Sequence, residues 1–284
     1  MRVLVLGASG MLGSAMVRVL SEDAGMEVIG TVRGASASRY FESAIAERFL
    51  IGVDVENVDS LAGAMAEARP DVVVNCVGVV KQLAQANDPL RVLPINSMLP
   101  HRLAKLCALA GARLVHVSTD CVFAGTKGRY HETDVSDATD LYGKSKYIGE
   151  VHTDNAITLR TSIIGHELQN GHSLVDWFLS QGANCRGFSR AIFSGLPTVV
   201  LATLVRDVIF PRPDLSGLYH VAAEPINKFD LLNLIKRVYG KQIEIADDPS
   251  LVIDRSLDAS RLREATGYVA PSWNEMITTM HSYK

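Results

Sequence analysis

Gly7-Ala8-Ser9-Gly10-Met11-Leu12-Gly13 follows the short apolar run Arg2-Val3-Leu4-Val5-Leu6 and opens into an amphipathic stretch that begins at Met11. A strand that ends in a G-x2-G-x2-G turn and passes directly into a helix is the opening unit of a dinucleotide-binding fold. The glycines allow a tight turn, let a pyrophosphate approach the backbone, and let helix and strand pack closely. The helix amino terminus then offers N–H groups and the positive end of its dipole to the phosphates. Gly7, Ser9, Gly10, Met11 and Leu12 are therefore the candidate phosphate-binding residues.

Outward from this turn, runs rich in Val, Leu and Ile alternate with helical patterns. Strands are expected at 2–6, 27–32, 48–53, 71–76, 113–118 and 156–160, and helices at 11–22, 60–68, 90–110 and 141–152. The strands lack polar alternation, as they do in a parallel sheet covered on both faces. Past Arg160 the rhythm changes to a glycine-rich, irregular section over 165–197. A helix at 198–210, a strand at 217–222, a helix at 227–239, a run at 242–246 and helices at 258–265 and 272–281 complete the pattern. The expected architecture is α/β. A Rossmann-type doubly wound parallel sheet occupies 1–161 as the NAD(P)-binding domain. A smaller C-terminal α/β substrate lobe occupies 162–284, packed closely on it and able to return a strand to the sheet.

The 284 residues are 48% hydrophobic, enough for a sizeable core, and carry a net charge of −3 with a pI near 6.2. That balance argues against nucleic acid or an anionic membrane as partner, since both call for a basic field. No apolar run approaches the roughly 18 residues of a membrane span. The apolar start breaks at Gly7, too early for a signal peptide. Cys76, Cys107, Cys121 and Cys185 are widely spaced and form no Cys-x2-Cys pair. Reduced thiols in the cytoplasm fit better than disulfides or zinc. His166 and His172 form a loose pair without further convergent ligands, so no metal is expected.

Cofactor choice is read at the end of the second strand. An acidic residue there binds the ribose 2′-hydroxyl of NAD, but this chain has Thr31-Val32-Arg33. Arg33 can pair with a 2′-phosphate, assisted by Ser9, so NADP(H) is expected, with NAD(H) as the alternative. Asp54 and Val55 follow the third strand, suited to the adenine amine and ring. Cys76, Val77 and Gly78 follow Asn75 after the fourth, where the chain would run past the ribose and phosphates.

Tyr142-Gly-Lys-Ser-Lys146 supplies the chemistry. A tyrosine four residues before a lysine on a helix puts both side chains on one face. The ammonium favours the phenolate, lowering the phenol pKa from about 10 towards the working pH. Ser118-Thr119-Asp120 ends the fifth strand. The Thr119 hydroxyl is suited to a substrate carbonyl, while Ser118 turns into the strand packing. Asp120 has two readings of equal weight: it binds a sugar hydroxyl or caps a turn.

Together these residues resemble the extended short-chain dehydrogenase/reductase superfamily, and within it the dTDP-4-dehydrorhamnose reductase branch. The matching pieces are the 7–13 turn, Asp54-Val55, the 75–78 segment, Ser118-Thr119-Asp120 with Val122-Phe123, Tyr130-x-Glu132-x-Asp134, Tyr142 to Lys146 with Gly149-Glu150, Leu159-Arg160-Thr161 and Gly195-Leu-Pro-Thr198. They run in the family's order through most of the first 200 residues. The resemblance implies hydride transfer from NADPH to the C4 ketone of a nucleotide-linked 4-keto-6-deoxy sugar, in cell-surface polysaccharide biosynthesis. Tyr142 would donate the proton, Lys146 would hold the nicotinamide ribose, and Thr119 would steady the carbonyl oxygen. A homodimer is expected by analogy.

Three stretches depart from that pattern. Cys121 stands where the family has tyrosine. Ser162-Ile163-Ile164 replaces an aromatic after the Arg-Thr pair. Ile192-Phe193-Ser194 replaces a polar pair. All bear on the sugar pocket, so the identity of the sugar stays open. His166, Glu167, Asn170, Trp177 and Arg186 are further pocket candidates, with Trp177 equally suited to a core. Two rival functions remain: a nucleotide-sugar epimerase or dehydratase, and a non-catalytic nucleotide-binding regulatory subunit. Cys121 after Asp120 lacks the acidic pair of a dehydratase, and Arg33 disfavours the NAD of an epimerase.

Overall fold

The computed structural model describes residues 1–81, 87–169, 171 and 173–283. Asn170 and His172 lie outside the described residues. The first half runs β1 (Arg2–Leu6), α1 (Met11–Ser21), β2 (Glu27–Val32), α2 (Ser43–Ala46), β3 (Phe49–Ile51), α3 (Val58–Ala68), β4 (Val72–Asn75), α4 (Pro89–Val92), α5 (Leu99–Ala110), β5 (Arg113–Thr119), α6 (Leu141–Ile148) and β6 (Ala156–Thr161). Then follow β7 (Ile163–Ile164), α7 (Leu174–Ser180), β8 (Asn184–Phe188), β9 (Ala191–Phe193), β10 (Leu196–Pro197), α8 (Thr198–Leu204), β11 (Gly217–His220), β12 (Ile226–Asn227), α9 (Lys228–Val238), β13 (Glu244–Asp248), β14 (Ile253–Asp254), α10 (Ser260–Thr266) and α11 (Trp273–Ser282).

Among the described residues the central sheet has seven strands in the order β11-β6-β5-β4-β1-β2-β3, with parallel pairing of β1 to β2 and β4, of β2 to β3, and of β4 to β5. This is the mostly parallel α/β architecture expected from the alternating pattern. β11 is the later strand that returns to the sheet, beside β6. In register, Leu4 lies between Ile29 and Val73. These side chains join Leu61, Met65, Leu99, Leu103 and Leu114 in a buried cluster. Truncating one such leucine to alanine typically removes about 2–5 kcal/mol.

The helix expected over 90–110 is divided. α4 is capped by Asp88, which accepts from the Leu90 N–H at 2.9 Å, and a π-helical turn over Leu93–Met98 precedes α5. Pro94 and Pro100 each remove an N–H from the helical ladder, which favours such a break. The 198–210 helix likewise ends in a π turn, Val205–Ile209.

The chain forms two compact units. The first comprises Met1–Ser118, Asp140–Leu159 and Ala202–Leu218; the second comprises Thr119–Thr139, Arg160–Leu201 and Tyr219–Lys284. Each thus takes residues from both sides of the 161/162 division expected from the sequence. In the second unit the fully buried Arg160 donates from Nη1 to His220 Nε2 at 2.9 Å, and its guanidinium lies 5.0 Å from the centroid of the Phe123 ring. His220 Nδ1 donates to the Tyr130 and Asp258 carbonyls at 3.0 and 3.1 Å. Burial, reinforced by Arg160, pushes its pKa down to about 3, so the ring is neutral and its tautomer fixed.

Candidate active site

At the end of β1, Gly7 takes φ +80°, a left-handed conformation that favours glycine, and the Gly10 N–H bonds back to its carbonyl at 3.0 Å. A Cβ on Gly13 would stand 2.0 Å from the Gly7 carbonyl oxygen, so only glycine lets α1 pack this close to the turn. The first helical bond runs from Ser14 N–H to Gly10 O at 2.9 Å, and α1 has neither a side-chain cap nor an acidic residue in its first turn. α3 and α6, by contrast, are capped by Asn57 and Asp140. The amino end of α1 therefore presents Met11, Leu12 and Gly13 N–H groups and a positive dipole end, a fit for pyrophosphate. Ser9 and Gly10 are exposed there, whereas Leu12 is buried.

Arg33 is exposed just past β2 and has no acidic neighbour in the Gly34-Ala35-Ser36 segment that follows. Asp54 Oδ1 accepts from the Glu56 N–H at 3.0 Å, an Asx turn that fixes the loop after β3, while Val55 packs against the core. After β4, Asn75 Oδ1 accepts from the Val77 N–H at 3.1 Å. Cys76 and Val77 are half-buried and Gly78 is exposed. Burial pushes the Cys76 thiol up to about 12, which makes it a neutral filler here.

α6 carries Tyr142 and Lys146. Asp140 caps it, accepting from the Gly143 N–H at 2.8 Å, and also receives Lys81 Nζ at 2.6 Å. Tyr142 is half-buried, whereas Lys146 is only 6% exposed. Lys146 Nζ donates to the Val117 carbonyl of β5 at 2.7 Å. Burial lowers its pKa to about 8, and Glu150 is the carboxylate that opposes this. Glu150 is itself buried and accepts from Ser118 Oγ at 2.7 Å. Ser118 thus faces this packing.

One positioning residue is absent from the sequence reading. Asn96, in the π turn, accepts from the Val79 N–H at 2.8 Å and donates to the Val79 carbonyl at 3.0 Å and to Ser145 Oγ at 3.2 Å. Its own carbonyl oxygen stands 1.9 Å from where a Cβ on Gly149 would lie. One side chain therefore ties the loop after β4 to the helix bearing Tyr142 and Lys146.

The second unit begins at Thr119. Its hydroxyl accepts from the Cys121 N–H at 3.1 Å and donates to Asp120 Oδ1 at 3.1 Å. The single hydroxyl proton is thus engaged by Asp120, and donation to a carbonyl requires it to turn away. Asp120 is buried, and burial raises its pKa against the opposing pull of Arg255 and of hydrogen bonds from Cys121, Thr119 and Ser162. Arg255 donates from Nε to the Phe123 carbonyl at 2.7 Å and from Nη1 to Cys121 Sγ at 3.7 Å. Lys228 interacts electrostatically with Asp120, Cys121 and Arg255. Neither cation stands out in the sequence, because neither lies near Asp120 along the chain. His166 is held between Asp176 Oδ1 (3.1 Å) and the Tyr239 hydroxyl (2.8 Å). Among the described residues no group of three or more His, Cys, Asp or Glu side chains could hold a metal ion. No helix among them is long and apolar enough to cross a membrane.

The family model described as the RmlD substrate binding domain matches residues 1–282. The chain belongs to that family. It is thereby a member of the NAD(P)-dependent, extended short-chain dehydrogenase/reductase type of enzyme. A dTDP-4-dehydrorhamnose reductase of Aggregatibacter actinomycetemcomitans is 25% identical, with 99% of each chain covered. The methionine adenosyltransferase 2 subunit beta of Pongo abelii is 28% identical over 92% of this chain and 81% of its own. Among solved structures, the dTDP-4-dehydrorhamnose reductase of Bacillus anthracis in complex with NADP shares the fold. It superposes with a TM-score of 0.80 at 21% identity, with 100% of this RmlD-family chain and 99% of the other covered.

Proposed function

We propose that this RmlD-family chain is an NADPH-dependent reductase of the C4 ketone of a nucleotide-linked 4-keto-6-deoxy sugar, acting in the cytoplasm in cell-surface polysaccharide biosynthesis. The observation that carries the reading is Lys146: a buried ammonium, fixed by the Val117 carbonyl, one helical turn from Tyr142 on α6. NADPH supplies the hydride to the carbonyl carbon. The Tyr142 phenol gives its proton to the carbonyl oxygen, and the phenolate left behind is stabilised by the Lys146 ammonium until solvent restores the proton. Thr119 steadies the oxygen by hydrogen bonding, once its proton leaves Asp120.

Cofactor binding falls to the first-turn N–H groups of α1, to Arg33 for the 2′-phosphate, to Asp54 and Val55 at the adenine, and to Cys76, Val77 and Gly78 along the ribose and phosphates. In this division 1–161 holds the cofactor and 162–284 the sugar nucleotide, with Asp120 at a sugar hydroxyl. NADPH absorbance with dTDP-4-keto-6-deoxyglucose tests the reading, and turnover supports it. Tight NADPH binding with no turnover across a panel of nucleotide keto-sugars would sink it. That outcome would favour the regulatory-subunit reading, motivated by the relative named as an adenosyltransferase subunit.

A further inference from the structure

Within the first unit, β1 lies between β4 and β2, with Leu6 opposite Asn75 on one side and Val5 opposite Gly30 on the other. The phosphate turn that leaves β1 at Gly7 is therefore flanked by the ends of both neighbours. On the β4 side the contact is apolar: a Cβ on Gly7 would stand 2.9 Å from Val77 Cγ2. On the β2 side it is polar and centres on Thr31. The buried Thr31 hydroxyl accepts from the Gly7 N–H at 3.2 Å, and the Thr31 carbonyl accepts from the Ala8 N–H at 3.0 Å. Gly30 completes this seat, since a Cβ there would stand 2.9 Å from Ala8 Cβ and 2.7 Å from the Phe49 ring.

The hydrogen bonds through the turn form one directed series. The Gly7 N–H donates to Thr31 Oγ1, the Gly10 N–H to the Gly7 carbonyl at 3.0 Å, and the Ser14 N–H to the Gly10 carbonyl at 2.9 Å. The last of these is the first rung of α1, whose open N–H groups are the pyrophosphate donors. Bonds joined in series polarise one another, so a change at the Thr31 end is felt at the helix end. The strand itself does not call for a hydroxyl here, because valine has the same branched shape and suits a buried strand as well. What the hydroxyl adds is an acceptor for the N–H of a residue held at φ +80°.

We infer that Thr31 is a positioning residue for the cofactor, its hydroxyl holding the turn in the shape that receives the pyrophosphate. The inference rests on the assignment of the 7–13 turn to the dinucleotide and is independent of the sugar. Without the hydroxyl, the Gly7 N–H reaches water when the turn shifts, and the cofactor selects only the molecules in which the turn is intact. The pyrophosphate is common to NADPH and NADH, so this loss falls on both. Arg33, just past the end of the same strand, has its proposed role at the 2′-phosphate, so its loss falls on NADPH alone.

Fluorescence titration of the purified chain with NADPH and with NADH tests this in Thr31→Val, Thr31→Ser and Arg33→Ser. Thr31→Val should raise the Kd of both cofactors by about tenfold, which corresponds to a competent fraction of about one tenth. Thr31→Ser returns the acceptor and should restore both values, while Arg33→Ser should weaken NADPH alone. In turnover, Thr31→Val should raise the KM for NADPH and leave kcat at saturating NADPH unchanged. Thr31→Ala removes the same hydroxyl with less bulk and decides the matter if Thr31→Val does not fold. Slow hydrogen exchange at the Gly7 amide of the wild type is a further expectation that needs no variant. Unchanged Kd values in a folded Thr31→Val or Thr31→Ala overturn the inference, as does fast exchange at Gly7. A lower Tm without cofactor, together with intact Kd values, makes the hydroxyl structural only and overturns it too. Weakening that Thr31→Ser leaves unrepaired has the same force. A wild type that binds neither cofactor defeats the assignment of the turn itself, and this inference with it.

Discussion

Lys146 and Lys228 are two buried or half-buried lysines, each faced by a carboxylate, that differ in how they are held. Burial lowers the pKa of both. Lys146 is hydrogen-bonded to the Val117 carbonyl and faced by Glu150, within a helix whose register is locked by Asp140 and Asn96. Lys228 is faced by Asp120, with Arg255 opposing more weakly, and has no hydrogen bond among the described residues. The first ammonium is fixed by a hydrogen bond to the backbone, whereas the second is held by charge alone. A preorganised ammonium suits chemistry that recurs across substrates.

The strongest way to break this comparison is at the preorganised centre. Tyr142→Phe should lower kcat by about 10³-fold while leaving NADPH binding, read by cofactor fluorescence, in place. Retained turnover would remove Tyr142 from the mechanism. Lys146→Met should lower kcat/KM by about 10²-fold, since it removes the charge that stabilises the phenolate.

A pH titration sharpens the same point, with opposite signs for rate and stability. Above pH about 8 the Lys146 ammonium is lost, so kcat/KM should fall by about tenfold per unit. Its folded pKa lies below the ordinary lysine value of 10.5, so between pH about 8 and 10.5 the unfolded chain binds more protons. This group's contribution to stability therefore rises with pH in that window. Denaturant unfolding compared between the wild type and Lys146→Met isolates it, and an unchanged pH slope would count against a depressed Lys146. The smallest effect is expected at the surface. Arg33→Ser should raise the KM for NADPH by about tenfold and leave that for NADH nearly unchanged, measured by steady-state kinetics.

The contrast between the two lysines also marks what a linear reading can reach. The turn at Gly7 and the Tyr142–Lys146 pair were legible because their partners lie within one or two helical turns. The strands of the sheet were legible because burial on both faces leaves continuous Val and Leu runs. Asn96 was not, since its partners Val79 and Ser145 are 17 and 49 residues away. The broken helix over 90–110 hid it further, because its apolar pattern continues through Pro94 and Pro100. Arg255 reaches Cys121 across 134 residues, through the pairing of short strands whose register no local pattern fixes. Three of the boundaries between the two units fall inside β5, β6 and β11, where no shift in composition marks them.

The close approach of Asn96 to Gly149 bears on how substitution data for this chain should be interpreted. Any side chain at 149 would press on the Asn96 carbonyl and displace the helix that carries Tyr142 and Lys146. Position 149 should therefore be as intolerant in a saturation scan as the reacting residues, although glycine has no side chain to take part in the chemistry. Intolerance there would measure geometry, and only purified variants assayed for fold and turnover separately would tell it apart from chemistry.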